Sequence, residues 1–173
     1  NPADYFVTAA VTFLFCYLYL LIRGLDDPFD ISNDEIDVDL KPIDRFKVLV
    51  KGKDKAGEFY RKNFASMFQY CSNRIPEITE DFYKIDDAMK AGFGWENGPF
   101  EIWDAIGVEK GIELMKAEGY TPAAWVNDML ASGVTFFYAI KEGATYFYSI
   151  TNKKVEKIPG QDAFIILNNI REN

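Results

Sequence analysis

Apolar residues recur at helical spacing through the middle of this chain and at alternating spacing near its end. Tyr60, Phe64, Met67 and Cys71 follow i, i+4, i+7, i+11, and Phe68 with Ile75 widens the same face, which predicts one long helix starting near Asp54. Pro76 ends it, because the residue before a proline avoids the α region. Thr79 is the expected N-cap of the next helix, with Glu80 and Asp81 in the first turn, where the helix dipole favours acids. Phe82, Ile85 and Met89 form its apolar stripe, and Gly92 is expected to end it. Pro99 suits the first position of a third helix, with Phe100, Trp103 and Ile106 on its buried side and Gly107 as its breaker. A fourth helix over residues 108–118 buries Val108, Ile112 and Met115 before Gly119. A fifth opens at Thr121 and Pro122, carries Trp125 and Met129, and stops at Gly133. The period then changes: TFFYAI, KEGA and TYFYSI predict a hairpin turning at Gly143, with a further short strand over residues 154–158.

The first third of the chain reads differently. Residues 6–22, FVTAAVTFLFCYLYLLI, contain no charge, no glycine and no proline. A helix of that length reaches about 26 Å against a hydrocarbon core of roughly 30 Å. Arg23 could snorkel at one end, whereas Tyr17 and Tyr19 lie deeper than an interfacial belt. No basic region precedes the run and no small-residue cleavage site follows, so a signal peptide fits poorly. A membrane or interfacial helix, a helix buried on all sides and a strand-rich segment remain open readings. Residues 26–39 hold seven acids and no base and read as a solvated linker. Pro42 opens a short helix over residues 43–50, and KGKDK at 51–55 is a charged turn. At the far end, residues 164–167 are apolar and the sequence stops soon after, at Asn173, so a continuation is expected.

Composition narrows the chemistry. The chain has 173 residues, 49% hydrophobic and 27% charged, in keeping with a globular domain plus an appendage. A net charge of −8 without a basic stripe gives no footprint for nucleic acid. There is no histidine, which removes imidazole bases and the common nitrogen-and-sulfur zinc sets. Cys16 and Cys71 have no metal-type spacing and read as buried thiols of a reducing compartment.

The densest segment is residues 85–108, IDDAMKAGFGWENGPFEIWDAIGV. Asp86, Asp87, Glu101 and Asp104 invite a paired-carboxylate reading, with Glu101 and Asp104 at i, i+3 on one helix. Catalytic pairs need opposed placement across a substrate, so a structural role is the simpler one, with Asp87 an exposed acid or a cap to a neighbouring turn. Gly92, Gly94 and Gly98 match a phosphate-cradling loop only loosely, since a helix and not a strand precedes them. Backbone turns with positive φ and close helix approach suit them better. Phe93, Trp95, Phe100 and Trp103 could line a ligand groove, although aromatic residues at helical spacing are usually core. Asn73 and Arg74 close the long helix. Their plain reading is an Asn turning left-handed and an Arg meeting a helix-end carbonyl or a carboxylate.

YCSNRIPE at residues 70–77, followed by the string at 85–108, is similar to the C-terminal helical domain of 3-hydroxyacyl-CoA dehydrogenases. Residues 51–173 resemble part of the bacterial multifunctional fatty-acid β-oxidation proteins. GQDAFIILNNIREN at 160–173 looks like the joint into their hydratase part. The resemblance implies a mainly α fold with a small C-terminal β-hairpin, preceded here by an apolar helix. With the composition of the first third, it divides the chain into an apolar helix at 1–24, an acidic linker at 25–45, the helical domain at 46–133, and a hairpin with its joint at 134–173. In the family, NAD and the catalytic His with its Glu partner belong to a Rossmann domain, so no cofactor is expected in this chain. The family's helical domain contributes the Asn of its N-R motif, which maps to Asn73. Multifunctional members carry two such domains, and the copy beside the hydratase serves packing and assembly. The implied role is an accessory domain of an NAD-dependent dehydrogenase, partnered by Rossmann and enoyl-CoA hydratase domains and placed beside acyl-CoA. The implied location is cytoplasmic. Residues 1–45 have no counterpart in the family. They carry the competing expectation of a membrane-tethered helical binding module anchored through residues 6–22.

Overall fold

The computed structural model describes residues 41–160. The apolar run at 6–22, the acidic linker up to residue 40, Cys16 and the joint beyond residue 160 lie outside the described residues. Among the described residues six helices come first: α1 (Pro42–Leu49), α2 (Lys55–Asn73), α3 (Tyr83–Phe93), α4 (Pro99–Ile106), α5 (Val108–Ala117) and α6 (Ala124–Ala131). Three strands follow, β1 (Tyr138–Lys141), β2 (Ala144–Ser149) and β3 (Lys154–Lys157), in the order β1-β2-β3. The fold is mainly α, and the expected hairpin is the first part of this antiparallel meander. Lys141 pairs with Ala144, so only Glu142 and Gly143 make the turn, both with positive φ, as a two-residue hairpin loop requires. No helix among the described residues is long and apolar enough to cross a membrane.

Local chemistry explains most boundaries. Asp54 caps α2 by accepting from the Gly57 amide at 2.8 Å, and Pro42 and Pro99 stand in the first turns of α1 and α4. Four expectations are corrected. Thr79 accepts from the Asp81 amide at 3.2 Å in a turn ahead of α3, which begins only at Tyr83 and has no side-chain cap. Phe82 is fully buried, so core packing, and not Thr79, sets where that helix starts. Gly92 lies within α3, and the left-handed residue that ends it is Gly94, with φ of 67°. Thr121 and Pro122 precede α6 without opening it, since the helix starts at Ala124. Asn73 stays in α2, and Arg74 closes that helix in the right-handed region.

The core runs through a column of rings. Phe64 stacks on Phe68 at 5.9 Å, Phe68 on Trp103 at 4.7 Å, and Phe137 meets Trp103, Phe100 and Phe82 edge-on. Phe68, Phe82, Phe100, Trp103 and Phe137 are all fully buried, each contributing about 2–3 kcal/mol of burial. On α2 the buried face is Phe64, Ala65, Phe68 and Ser72, a slight rotation from the stripe expected through Met67 and Cys71. Phe137 precedes β1, so the sheet shares its core with the helices.

Candidate functional site

The richest chemistry lies where α3, α4 and the start of β1 meet. Asp86 leaves α3 from the same face as Phe82 and is fully buried. One carboxylate oxygen accepts the Phe100 amide at 3.0 Å. The other accepts the Glu101 amide at 3.1 Å and the Tyr138 hydroxyl at 2.8 Å. Asp104 accepts the amides of Phe137 and Tyr138, each at 2.7 Å. Glu101 accepts the Gly98 amide at 2.8 Å and holds Lys90 at 2.7 Å. Asp87 faces outward and meets Lys90 at 3.5 Å.

Gly98 makes this arrangement possible. It is the N-cap residue of α4, where a side-chain oxygen would normally accept an amide of the first turn. A glycine has none, and Asp86 supplies the acceptor from another helix. A Cβ at Gly98 would fall inside the envelope of the Asp86 side chain. The missing side chain is thus the space that the borrowed cap fills. Gly111 works alike: a Cβ there would strike the Trp103 indole, whose Nε1 donates to the Val108 carbonyl at 3.0 Å.

Burial sets the electrostatics. Removal from water pushes Asp86 and Asp104 each up to about 7, in spite of the hydrogen bonds that favour their charged forms. The Glu101 charge pushes both the same way. Burial and the neighbouring Asp86 charge hold Tyr138 well above its ordinary value. Burial also pushes the Cys71 thiol up to about 12.

Of the four acids singled out in the sequence, Asp86, Glu101 and Asp104 come together and Asp87 does not join them. Asp104 spends its oxygens on backbone amides, Asp86 on two amides and the Tyr138 hydroxyl, and Glu101 on the Gly98 amide and Lys90, so the cluster is a clamp joining two helices to the sheet. Tyr138, its fourth member, was not expected. Its signal lay in the alternation of TFFYAI, where a polar-tipped aromatic ring enters a strand. Phe100 and Trp103 are core, Trp95 is half-buried, and Phe93 is exposed. Asn73 is exposed at the end of α2, and its side-chain amide donates to the Gln69 carbonyl at 2.8 Å. Arg74 pairs with Glu77 at 2.7 Å and lies over the Tyr70 ring at 5.6 Å. Next to Asn73, the Ser72 carbonyl receives Trp125 Nε1 at 3.0 Å, which pins α6 to the end of α2.

The described residues do not fit a dinucleotide. Their three strands are antiparallel, no strand leads into the glycine turn, and Asp86 fills the space beside Gly98. No group of three or more Cys, Asp or Glu among the described residues could hold a metal ion.

Fold and clamp together define a helical domain closed by an antiparallel meander. Residues 59–135 match the family described as 3-hydroxyacyl-CoA dehydrogenase, C-terminal domain, a stretch from within α2 to just before β1. The helical part of this chain thus resembles that domain, and the expected resemblance holds. A Bacillus subtilis (strain 168) protein named "Probable 3-hydroxyacyl-CoA dehydrogenase" is 40% identical over 104 residues, 60% of this chain and 13% of that protein. Two rickettsial proteins named "Putative fatty acid oxidation complex trifunctional enzyme" also match. The one from Rickettsia felis (strain ATCC VR-1525 / URRWXCal2) is 28% identical over 41% of this chain and 9% of its own length. The one from Rickettsia prowazekii (strain Madrid E) is 34% identical over 34% of this chain and 8% of its own length. The chain therefore spans a small fraction of the curated relatives it matches. No solved structure matches it.

Proposed function

We propose that this chain is an accessory helical domain of an NAD-dependent 3-hydroxyacyl-CoA dehydrogenase of fatty-acid oxidation, with no turnover of its own. The supporting observation is that the family match at 59–135 contains the whole α3–α4 half of the clamp, where Asp86 caps α4 and Asp104 holds the amides at the start of β1. The absence of histidine from the sequence supports the same reading. NAD would sit on a Rossmann domain of the larger protein, with an enoyl-CoA hydratase domain beyond it. Residues 46–133 would form the wall beside the acyl-CoA, with residues 134–173 leading to the hydratase. Asn73, exposed at the end of α2, would face the reacting group, in a cytoplasmic enzyme. Acetoacetyl-CoA and NADH should give no turnover with the isolated chain, and appreciable turnover would overturn the proposal. In the full-length protein, Asn73→Ala should lower kcat and leave thermal stability unchanged.

A second reading is favoured by the uncharged run at 6–22: a membrane-tethered helical module. Liposome flotation separates the two, because an anchor requires binding that disappears when residues 1–24 are deleted. Flotation unchanged by that deletion, or none at all, removes it.

A further inference from the structure

A groove of about 400 Å³ lies where the end of α1 meets the α4–α5 junction, lined by Lys47, Val50, Lys51, Ala105, Ile106 and Lys110. Among the described residues half of its lining is lysine and none is acidic, in a chain whose net charge is −8. The described lining is therefore basic, although Asp44 and Glu113 stand beside two of its lysines. The floor is apolar, with Val50 buried and Ala105 and Ile106 half-buried.

The turn that carries Lys51 is held in place. Arg61 Nη1 donates to the Val50 carbonyl at 3.1 Å and to the Gly52 carbonyl, so the groups on either side of Lys51 are fixed from α2. Gly57 lets α2 approach that turn, since a Cβ there would strike the Gly52 backbone. On the opposite wall Gly107 precedes α5 without a side-chain cap, and the first turn of that helix carries Glu109 beside Lys110.

The lysines can take an anion at small cost. Lys47 pairs with Asp44 and Lys110 with Glu113, each at 2.7 Å and each an exposed i, i+3 pair. Such pairs contribute little and exchange readily. Lys51 makes no ion pair among the described residues. Three cations around one small groove suit phosphate, which concentrates charge and acceptors as a carboxylate does not. The volume suits a single nucleotide, within the roughly 300–1,000 Å³ of small-molecule sites.

We propose that this groove binds a small organic polyphosphate, with its phosphates among Lys47, Lys51 and Lys110 and its planar or apolar part on Val50, Ala105 and Ile106. The site uses none of the clamp residues and is independent of the dehydrogenase reading.

The test is calorimetric titration of the full chain with adenosine 5′-diphosphate at low ionic strength, about 0.05 M, where charge pairing is least screened. Saturable binding that weakens with salt is expected. Lys51→Glu and Lys110→Glu should each weaken it by about tenfold or more, and Lys153→Glu, outside the groove, should leave it unchanged. Because all three lysines are exposed, the variants should fold as the parent does. Adenosine should fail to bind, and inorganic phosphate should bind at least about tenfold more weakly than the diphosphate. The proposal is overturned by no heat at millimolar diphosphate, by equal binding of inorganic phosphate, or by indifference to Lys51→Glu. Retention by phosphatidylserine vesicles without binding of the free nucleotide would assign the lysines to a lipid headgroup and overturn it as well.

Discussion

Asp86→Ala should be the most damaging single change in the α3–α4–β1 clamp. It removes the acceptor for the Phe100 amide, the Glu101 amide and the Tyr138 hydroxyl at a position closed to water. Each buried donor left without a partner costs about 1–3 kcal/mol. Some relaxation toward solvent near the α4 N-terminus puts the total at about 3–5 kcal/mol, a large share of a small domain's stability. Asp86→Asn keeps the shape and one acceptor oxygen, and should cost about 1–3 kcal/mol. Acidity adds an independent signature. The folded pKa of Asp86 is about 7 against an ordinary 3.8, so between those values the folded state binds more protons than the unfolded chain. Stability must then fall as pH rises from about 4 to about 7, and level off above, by on the order of 4 kcal/mol for this group. Asp104 acts in the same direction. The surface acids Asp44, Glu58, Glu113 and Glu156, whose pKa values are lowered, act oppositely at lower pH, but each is exposed and contributes little. Urea denaturation of the parent and both variants at pH 5 and pH 8 measures all of this. The reasoning fails if Asp86→Ala costs less than about 1 kcal/mol, or if the parent grows more stable between pH 5 and pH 8.

Three further predictions concern neighbouring positions. Gly98→Ala should destabilise by about 2 kcal/mol or more, because Asp86 would have to retreat. Gly92→Ala, in open helical space, should be neutral or stabilise by up to about 1 kcal/mol. Thermal denaturation of the pair decides whether the two glycines differ as described. Tyr138→Phe removes one hydrogen bond to Asp86 and should cost about 1 kcal/mol, with near-UV circular dichroism reporting retained packing. The Cys71 thiol, held protonated by burial, should react with a thiol-specific disulfide reagent far more slowly in the folded chain than in urea, and equal rates would contradict its placement.

The helices were legible because their apolar stripes are regular, and the meander because its alternation is. Boundaries were less so where tertiary packing overrode local signals. Thr79 carries the right chemistry for a cap, yet burial of Phe82 moved the helix start past it. Gly92 and Gly94 are equivalent on sequence, and only the length of α3 decides which one turns left-handed. The acids were read as architectural, and the burial of Asp86 and Asp104 went unforeseen although it had a readable signal. Asp86 stands four residues after Phe82 and Asp104 four after Phe100, so each occupies a core-facing position of its helix. An acid there must find buried donors. Which donors it finds depends on a strand more than thirty residues beyond Asp104, and no local pattern encodes that.

Because α4 takes its cap from α3, positions 86 and 98 act as a single hereditary unit. Any side chain gained at 98 displaces the acid at 86, and an acid lost at 86 leaves the glycine without purpose. Drift at either site alone is a step downhill, so the two are expected to change together or not at all. In more distant relatives, a Ser, Thr or Asp at the position of Gly98 should therefore appear where the acid of α3 has gone, the helix having taken its cap back into its own sequence.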